Sequence, residues 1–137
     1  MTSTRIKIRG YHEDRFGHVN NARYLELLED ARWEHLEERG LSAAFLKEHG
    51  IFPVVVRLSI AYRRPASAGD ILDITADVVR LGRRKIVIDQ KALLVPSGEV
   101  VVEAEVTAVL LDEATGRPVP LSDEILRAWP ELGGVRT

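Results

Sequence analysis

Apolar residues follow two different periods along the chain. From residue 21 to residue 39 they recur every three or four positions, which predicts an amphipathic helix. Gly40 predicts the end of this helix, because glycine accepts the left-handed conformation that commonly follows a helix. Its apolar stripe is wide and consists of Tyr24, Leu25, Leu27, Leu28, Ala31, Trp33 and Leu36. Such a helix needs contacts on more than one side.

After Phe52 the period drops to two and β-branched residues dominate, which predicts strands. Short turns around Gly82 and Gly98 make antiparallel neighbours the expectation. Each predicted strand has one apolar face: Val54, Val56, Leu58, Ile60 and Tyr62; Leu72, Ile74, Ala76 and Val78; Ile86, Ile88, Ala92 and Leu94; and Val102, Ala104, Val106, Ala108 and Leu110.

Three shorter segments complete the predicted order. Ile6 and Ile8 alternate with charged residues, which indicates a first strand. Residues 42–49 predict a short helix, and residues 121–129 predict a terminal helix. We therefore expect an α+β fold, with residues 1–137 forming one domain, in which an antiparallel sheet of about five strands curls around one long helix.

Composition narrows the class of function. The 137 residues carry a net charge of -2 with basic and acidic residues interspersed, which argues against a nucleic-acid partner. There is no cysteine, so thiolate zinc sites and cysteine nucleophiles are excluded. No apolar run approaches the about 18 residues of a membrane span, and no apolar leader opens the sequence. We expect a cytoplasmic protein with no membrane partner.

Polar residues concentrate just before the predicted helix. The stretch "YHEDRFGHVNN" at residues 11–21 holds two histidines, a glutamate, an aspartate and two asparagines. A helix N-terminus already offers unpaired N–H groups, and one polar cap is enough for structure. The surplus of titratable and hydrogen-bonding groups indicates a functional site.

The same stretch carries a family resemblance. "YHEDRFGHVNNARYLELLEDARW" resembles the signature of the 4-hydroxybenzoyl-CoA thioesterase family, in which an aspartate three residues before a glycine precedes the central helix. "YRRPASAGD" extends the likeness, and the first third of the chain is most similar to bacterial long-chain acyl-CoA thioesterases. The resemblance implies the hotdog fold and hydrolysis of acyl-CoA thioesters, with medium- to long-chain fatty acyl groups expected. It implies no cofactor, since coenzyme A is part of the substrate.

The resemblance assigns roles to residues of this stretch. Asp14 matches the family's catalytic aspartate, which acts as nucleophile on the thioester carbonyl or as general base for water. The residues alone leave a capping role open for it. Gly17 would permit a tight turn close to the substrate, and an ordinary turn glycine is the alternative. His18 is a candidate catalytic residue, although packing and hydrogen bonding near the helix start is the commoner role.

The two asparagines divide between structure and chemistry. Asn20 or Asn21 could supply the N-cap side chain of the helix. In the family, a main-chain N–H at the start of this helix polarises the thioester carbonyl, and Asn21 occupies the matching position. Such a donor acts on the oxygen where negative charge develops, and the helix dipole assists it.

The remaining polar residues have weaker assignments. His12 and His18 are six residues apart, whereas an H-E-x-x-H zinc motif needs histidines four apart on one helical face, so we expect no metal. Glu13 is interpreted as a surface group, or as a group that supports the site residues without contacting the substrate. Tyr24 is either a core residue or a substrate-binding residue whose hydroxyl reaches the acyl pocket.

The phosphates of coenzyme A need cationic partners, and arginine offers a planar fork that suits them. Arg83, Arg84 and Lys85 form one candidate cluster at a strand turn, and Arg63 and Arg64 form another. Exposed charges are common at turns, so a purely solvated role stays open for both clusters.

The resemblance also implies assembly. Each site of the family lies between two subunits, so we expect at least a homodimer, and a homotetramer built from two dimers. Tunnel-wall or core roles are expected for Leu25, Leu28, Phe52, Val54 and Val56. Two other functions stay open: a hotdog hydratase or dehydratase that pairs His18 with Asp14, and a non-enzymatic acyl-CoA-binding protein.

Overall fold

A computed structural model describes residues 1–135. One sheet contains five strands, which are β1 Thr2–Lys7, β2 Ile51–Tyr62, β3 Ile71–Leu81, β4 Lys85–Val95 and β5 Val100–Asp112. All neighbours are antiparallel in the order β1-β3-β4-β5-β2, so β1 and β2 form the two edges. The expected five-stranded antiparallel sheet is confirmed.

The long helix α1, Asn21–Glu38, packs against one face of this sheet. Its buried residues Tyr24, Leu28 and Ala31 join the inward side chains of β3, β4 and β5 in one core. Arg39 ends the helix and Gly40 follows with φ +81°, as predicted. Leu25, expected in the core or a tunnel wall, is instead 43% exposed. None of the helices in residues 1–135 is long and apolar enough to cross a membrane.

A buried polar group connects α1 to the sheet. Gln90 faces inward on β4 between Ile88 and Ala92, and its Nε2 donates to the carbonyl oxygens of Leu28 at 3.0 Å and Thr75 at 3.2 Å. Its Oε1 accepts from Arg32 at 2.9 Å. The alternation of β4 predicts that residue 90 faces inward, but Gln90 was not expected in the core because glutamine is polar. Three hydrogen bonds satisfy it there, as burial of an amide requires.

Strand β2 contains a bulge at Val56. Val55 pairs with Ala108 and Arg57 with Thr107, which leaves Val56 without an opposite residue. The bulge reverses the alternation, so Val55 faces inward before it and Leu58 faces inward after it. The prediction that Val54 and Val56 share a face with Leu58, Ile60 and Tyr62 was therefore wrong, because a strict period of two does not include the extra residue.

The remaining helices are short. Helix α2 covers Ala43–Glu48 with Ser42 as its N-cap. Helix α3 covers Asp123–Leu126, so the predicted terminal helix over residues 121–129 was too long. Pro130 begins a separate 3-10 turn, and the residue before a proline is restricted to non-helical backbone. Trp129 is that residue, and it is fully buried in the core.

Candidate active site

Asp14 lies in a tight turn that fixes its own carboxylate. Oδ1 accepts from the backbone N–H of Phe16 at 2.8 Å and of His18 at 3.3 Å. The backbone N–H of Asp14 donates to the His18 carbonyl at 2.7 Å, and Gly17 has φ +75° at the centre of the turn. The side chain stays exposed. The turn therefore presents a carboxylate in a fixed orientation toward solvent, and its Oδ2 receives no hydrogen bond within residues 1–135.

This loop is tied to the segment after β2. Val19 N–H donates to the Ala66 carbonyl at 2.8 Å, and Ala68 N–H donates to Glu13 Oε2 at 2.9 Å. His12 is buried, and its Nδ1 accepts from the Arg9 backbone N–H at 2.8 Å. The hydrogen bonds of His12 and Glu13 thus hold the loop in place.

The start of α1 leaves one backbone donor available. Asn20 is the N-cap, and its side chain accepts from Ala22 N–H at 2.9 Å. Its carbonyl accepts from Arg23 N–H at 2.9 Å. The N–H of Asn21 donates to no acceptor in the described part of the chain. The positive end of a long helix therefore carries a free donor at the position where the family resemblance places carbonyl polarisation.

Asn21, which carries the free N–H, and Asp14 both line a cavity of about 310 Å³. Six residues that the sequence singled out contribute to its wall: Asp14, His18, Asn21, Tyr24, Arg63 and Arg64. The structure adds Val19, Tyr62 and Pro65, which the sequence analysis did not assign to a site. The sequence contained a signal for Tyr62, because it ends the inward alternation of Leu58 and Ile60 and so had to face the helix.

Two tyrosines lie next to each other in the wall of the cavity. The rings of Tyr24 and Tyr62 lie 5.8 Å apart, and the Tyr62 hydroxyl donates to the Asn21 carbonyl at 3.3 Å. Tyr24 is 3% exposed, and its hydroxyl has no hydrogen-bond partner in residues 1–135. Burial, followed by the effect of Tyr62 and Asp70, raises the pKa of Tyr24 to about 12. Its hydroxyl is therefore protonated at neutral pH.

The charged and titratable residues of the cavity wall have surroundings that differ from those predicted. Arg63 pairs with Glu103 at 2.9 Å and Arg64 with Glu99 at 2.5 Å, so both guanidinium groups already have carboxylate partners. The imidazole of His18 is exposed and makes no hydrogen bond in the described residues. The interpretation that His18 packs near the helix start was therefore wrong, because its side chain lines the open cavity instead.

The cluster of Arg83, Arg84 and Lys85 does not line this cavity. Lys85 pairs with Val109 of β5, whereas Tyr62 pairs with Val102, seven residues earlier and about 23 Å away at about 3.3 Å per residue. The turn thus lies near the opposite end of the sheet in the same copy. Within residues 1–135 none of its three side chains forms an ion pair.

A second cavity, of about 240 Å³, lies between α1 and the sheet further along the helix. Its wall is mostly apolar and includes Trp33, Leu36, Val55, Ile88 and Leu110. Arg32 contributes a cation to it, and burial lowers the pKa of this guanidinium. In the described residues no three histidine, aspartate or glutamate side chains are grouped closely enough to hold a metal ion.

A long helix packed against a five-stranded antiparallel sheet, with a polar cavity at the start of that helix, is the architecture of the hotdog class. Residues 10–129 match the Thioesterase-like superfamily, and the chain belongs to it. This match and the similar proteins of Escherichia coli confirm the predicted family, the hotdog fold and the assignment as an enzyme of the thioesterase class.

The chain is 44% identical over 122 residues to the long-chain acyl-CoA thioesterase FadM of Escherichia coli strain K12, a match that spans 89% of this chain and 92% of that protein. It superposes on the probable thioesterase YbaW of Escherichia coli with a TM-score of 0.84 and 41% identity, covering 96% of this chain and 98% of that one. A Staphylococcus aureus protein crystallised with CoA, SAV2348, shares the fold alone, with a TM-score of 0.89 at 14% identity over 99% of this chain and 86% of that one.

Proposed function

We propose that this protein hydrolyses medium- to long-chain fatty acyl-CoA thioesters to the free acid and coenzyme A. The observation that carries the proposal is that the Asp14 carboxylate and the free N–H of Asn21 share one cavity. The 44% identity to a long-chain acyl-CoA thioesterase supports the choice of substrate class.

In the proposed reaction the thioester carbonyl oxygen accepts from the Asn21 N–H at the positive end of α1. This hydrogen bond strengthens as negative charge develops on the oxygen, which lowers the barrier to attack on the carbonyl carbon. Asp14 either attacks that carbon, forming an anhydride that water then cleaves, or removes a proton from a water molecule that attacks directly. On both routes the C–S bond breaks, one water molecule is consumed, and the thiolate leaves as coenzyme A.

The acyl chain needs an apolar cavity, and the second cavity provides one on the same helix. Asn21 and Arg32 are eleven residues apart on α1, about 16 Å at about 1.5 Å per residue. An extended acyl chain that starts at the Asn21 N–H and follows α1 would reach the cavity lined by Trp33 and Leu36. This arrangement favours longer acyl groups over acetyl.

The free edge of β2 supports a homodimer. Its outer hydrogen-bonding groups have no partner strand in the described residues, and Phe52 and Val56 on it are exposed. A long apolar edge is a ready template for strand pairing. A two-fold axis would pair β2 with its copy antiparallel and would give one continuous sheet of ten strands. Two such dimers would form the expected tetramer.

This pairing would also bring cations to the cavity. Because the paired β2 strands run in opposite directions, the end that carries Arg83, Arg84 and Lys85 in one copy lies beside the Asp14 end of the other. These side chains have no carboxylate partners in the described part of the chain, unlike Arg63 and Arg64. We therefore assign the coenzyme A phosphates chiefly to the turn of the second copy, with Arg63 and Arg64 at the rim.

The experiment measures thiol release from acyl-CoA esters from acetyl to palmitoyl, together with an aromatic ester, for the wild type and for Asp14→Asn. Asparagine retains the oxygen that accepts from Phe16 N–H, so the turn should persist. Removal of a general base or nucleophile should lower kcat about 10²–10⁴-fold. Asp30→Asn, on the exposed side of α1, is the matched control and should keep full activity.

Three results would contradict the proposal. Equal thiol release from the wild type and the correctly folded Asp14→Asn variant would remove Asp14 from the mechanism. Turnover of an enoyl-CoA without thiol release would favour a hydratase, for which His18 and Asp14 in one cavity provide a candidate pair. Tight acyl-CoA binding without turnover would favour a binding protein.

A further inference from the structure

The Tyr24 hydroxyl is a buried polar group that the mechanism above leaves unused. Its side chain is 3% exposed, it lines the cavity that holds Asp14, and its oxygen has no partner in residues 1–135. Buried polar side chains in folded proteins almost always have a hydrogen-bond partner. A buried, unpartnered hydroxyl on a residue that lines a cavity therefore marks a position where a ligand can supply that partner.

Tyr24 lies close in sequence to the Asn21 donor, within the first turn of α1. The two residues are three apart on α1 and so share a face. Long side chains on a helix lean toward its N-terminus, which is where the Asn21 donor lies. Tyr62 holds the arrangement, because its ring packs 5.8 Å from the Tyr24 ring while its hydroxyl donates to the Asn21 carbonyl.

The protonation state of Tyr24 suits a donor. Burial is the main cause that raises the pKa of this hydroxyl to about 12. The oxygen therefore keeps its hydrogen at neutral pH, and it donates rather than acting as a base.

We infer that Tyr24 is a catalytic residue whose hydroxyl donates to the thioester carbonyl oxygen, forming with the Asn21 N–H a two-donor oxyanion site. The inference rests on the proposed thioesterase function. No proton leaves Tyr24 in the reaction. Both hydrogen bonds strengthen as the carbonyl oxygen becomes negative, while Asp14 or its water attacks the carbon.

Tyr24→Phe removes the hydroxyl and keeps the ring. Loss of one oxyanion donor should lower kcat about 10²-fold with little change in KM. Because the lost hydroxyl has no partner in the described chain, the melting temperature should stay the same or rise. Tyr11→Phe is the matched control, since Tyr11 is exposed and lies outside the cavity wall, and it should keep wild-type kinetics.

A second measurement reports the contact with the carbonyl directly. A ketone analogue of acyl-CoA, with CH₂ in place of sulfur, keeps the carbonyl but cannot be hydrolysed, whereas a thioether analogue lacks the carbonyl. Tyr24→Phe should bind the ketone about tenfold more weakly and the thioether unchanged. The infrared carbonyl stretch of the bound ketone should lie at higher frequency in the variant than in the wild type.

The outcomes separate this inference from the proposed function. Full activity of Tyr24→Phe, alongside an inactive Asp14→Asn variant, overturns the role of Tyr24 and leaves the thioesterase proposal intact. Equal weakening of both analogues, or a melting temperature several degrees lower, assigns Tyr24 a structural role and also overturns the inference. Absence of thiol release from the wild type overturns both proposals.

Discussion

The indole N–H of Trp129 donates to Nε2 of His35 at 3.0 Å, and both side chains are buried in the core. On the other side of the ring, Nδ1 lies 2.8 Å from the Thr2 hydroxyl oxygen. That hydroxyl donates to Glu38 at 2.6 Å. Because Nε2 accepts and the Thr2 hydrogen is used by Glu38, the neutral imidazole carries its hydrogen on Nδ1. One histidine thus joins β1, α1 and the terminal segment, and the arrangement requires it to be uncharged.

This arrangement predicts loss of stability in mild acid. Burial, followed by repulsion from Arg39 and the N-terminus, lowers the pKa of His35 in the folded protein below its ordinary value of 6.5. The unfolded chain therefore binds a proton first as the pH falls, so the contribution of His35 is complete above about pH 6.5 and decreases below it. Urea unfolding between pH 8 and pH 5 should show a free energy of unfolding that declines below pH 6.5.

The control for this prediction is His35→Gln, which does not titrate in this range. Its free energy of unfolding should be lower at pH 8, by about 1–3 kcal/mol for the disturbed buried hydrogen bonds, and should decline less in acid. Identical pH profiles for the variant and the wild type would show that other groups cause the acid sensitivity.

Gly17→Ala should disturb the Asp14 turn through backbone conformation alone. An added Cβ would meet no atom within 4 Å, but φ is +75°, where an L-residue is strained by about 1–2 kcal/mol. We expect the free energy of unfolding to fall by about that amount and kcat to fall with it, because the turn orients the carboxylate. Gly10→Ala also adds a Cβ in open space but without positive φ, and should stay within about 0.5 kcal/mol of the wild type. Equal effects of the two substitutions would exclude the conformational explanation.

Alanine at Arg83, Arg84 and Lys85 together should raise KM for acyl-CoA about tenfold, as expected for the loss of charge-assisted hydrogen bonds to phosphate. The same variant should hydrolyse an acyl-pantetheine, which lacks the nucleotide phosphates, at the wild-type rate. Steady-state kinetics on the two substrates tests this. Alanine at Arg63 and Arg64 provides the comparison, and a larger effect there would place the phosphates beside this copy's own cavity instead.

Val56→Lys should dissociate the proposed dimer. Val56 is 58% exposed at the bulge of the free edge strand, and a lysine there would place a charge in an apolar strand contact. Light scattering should report a monomer, and the rate of thiol release should be lower than that of the wild type. Val79→Lys is matched, because Val79 is also an unpaired bulge valine, 38% exposed, but lies on the interior strand β3. A dimeric Val56→Lys variant would rule out pairing through β2.

The sequence predicted the elements whose residue pattern is regular over several consecutive positions. Five buried residues of β5 were identified, because the strand alternates regularly from Val102 to Leu110: Val102, Ala104, Val106, Ala108 and Leu110. Val101 was missed, because a register shift at the start of β5 buries it as well. His35 lies on the same helical stripe as Leu28 and Ala31, yet it was not expected in the core. A buried histidine needs a partner, and Trp129, ninety-four residues away, supplies it. Such a distant pairing is not visible in a local pattern.

For the candidate site too, proximity within one segment was predictable and contacts between distant segments were not. Asp14, Gly17 and Asn21 belong to one short segment, so their proximity followed from the motif. The paired state of Arg63 and Arg64 did not, because Glu103 and Glu99 come from the neighbouring strand and its turn. The distance of the Arg83 cluster from the cavity also depends on strand register, which spacing along the sequence does not give.

The bulge at Val56 places three consecutive valines in three different environments. Val55 lines the apolar cavity beside α1, Val54 pairs with Val109 on the outer face, and Val56 stands at the free edge. If the proposed acyl cavity and dimer are correct, substitutions at these positions would change three separate properties, namely acyl-chain volume, surface solubility and subunit contact. A substitution at position 55 would then alter the acyl preference without altering the assembly, and one at position 56 would alter the assembly without altering the cavity.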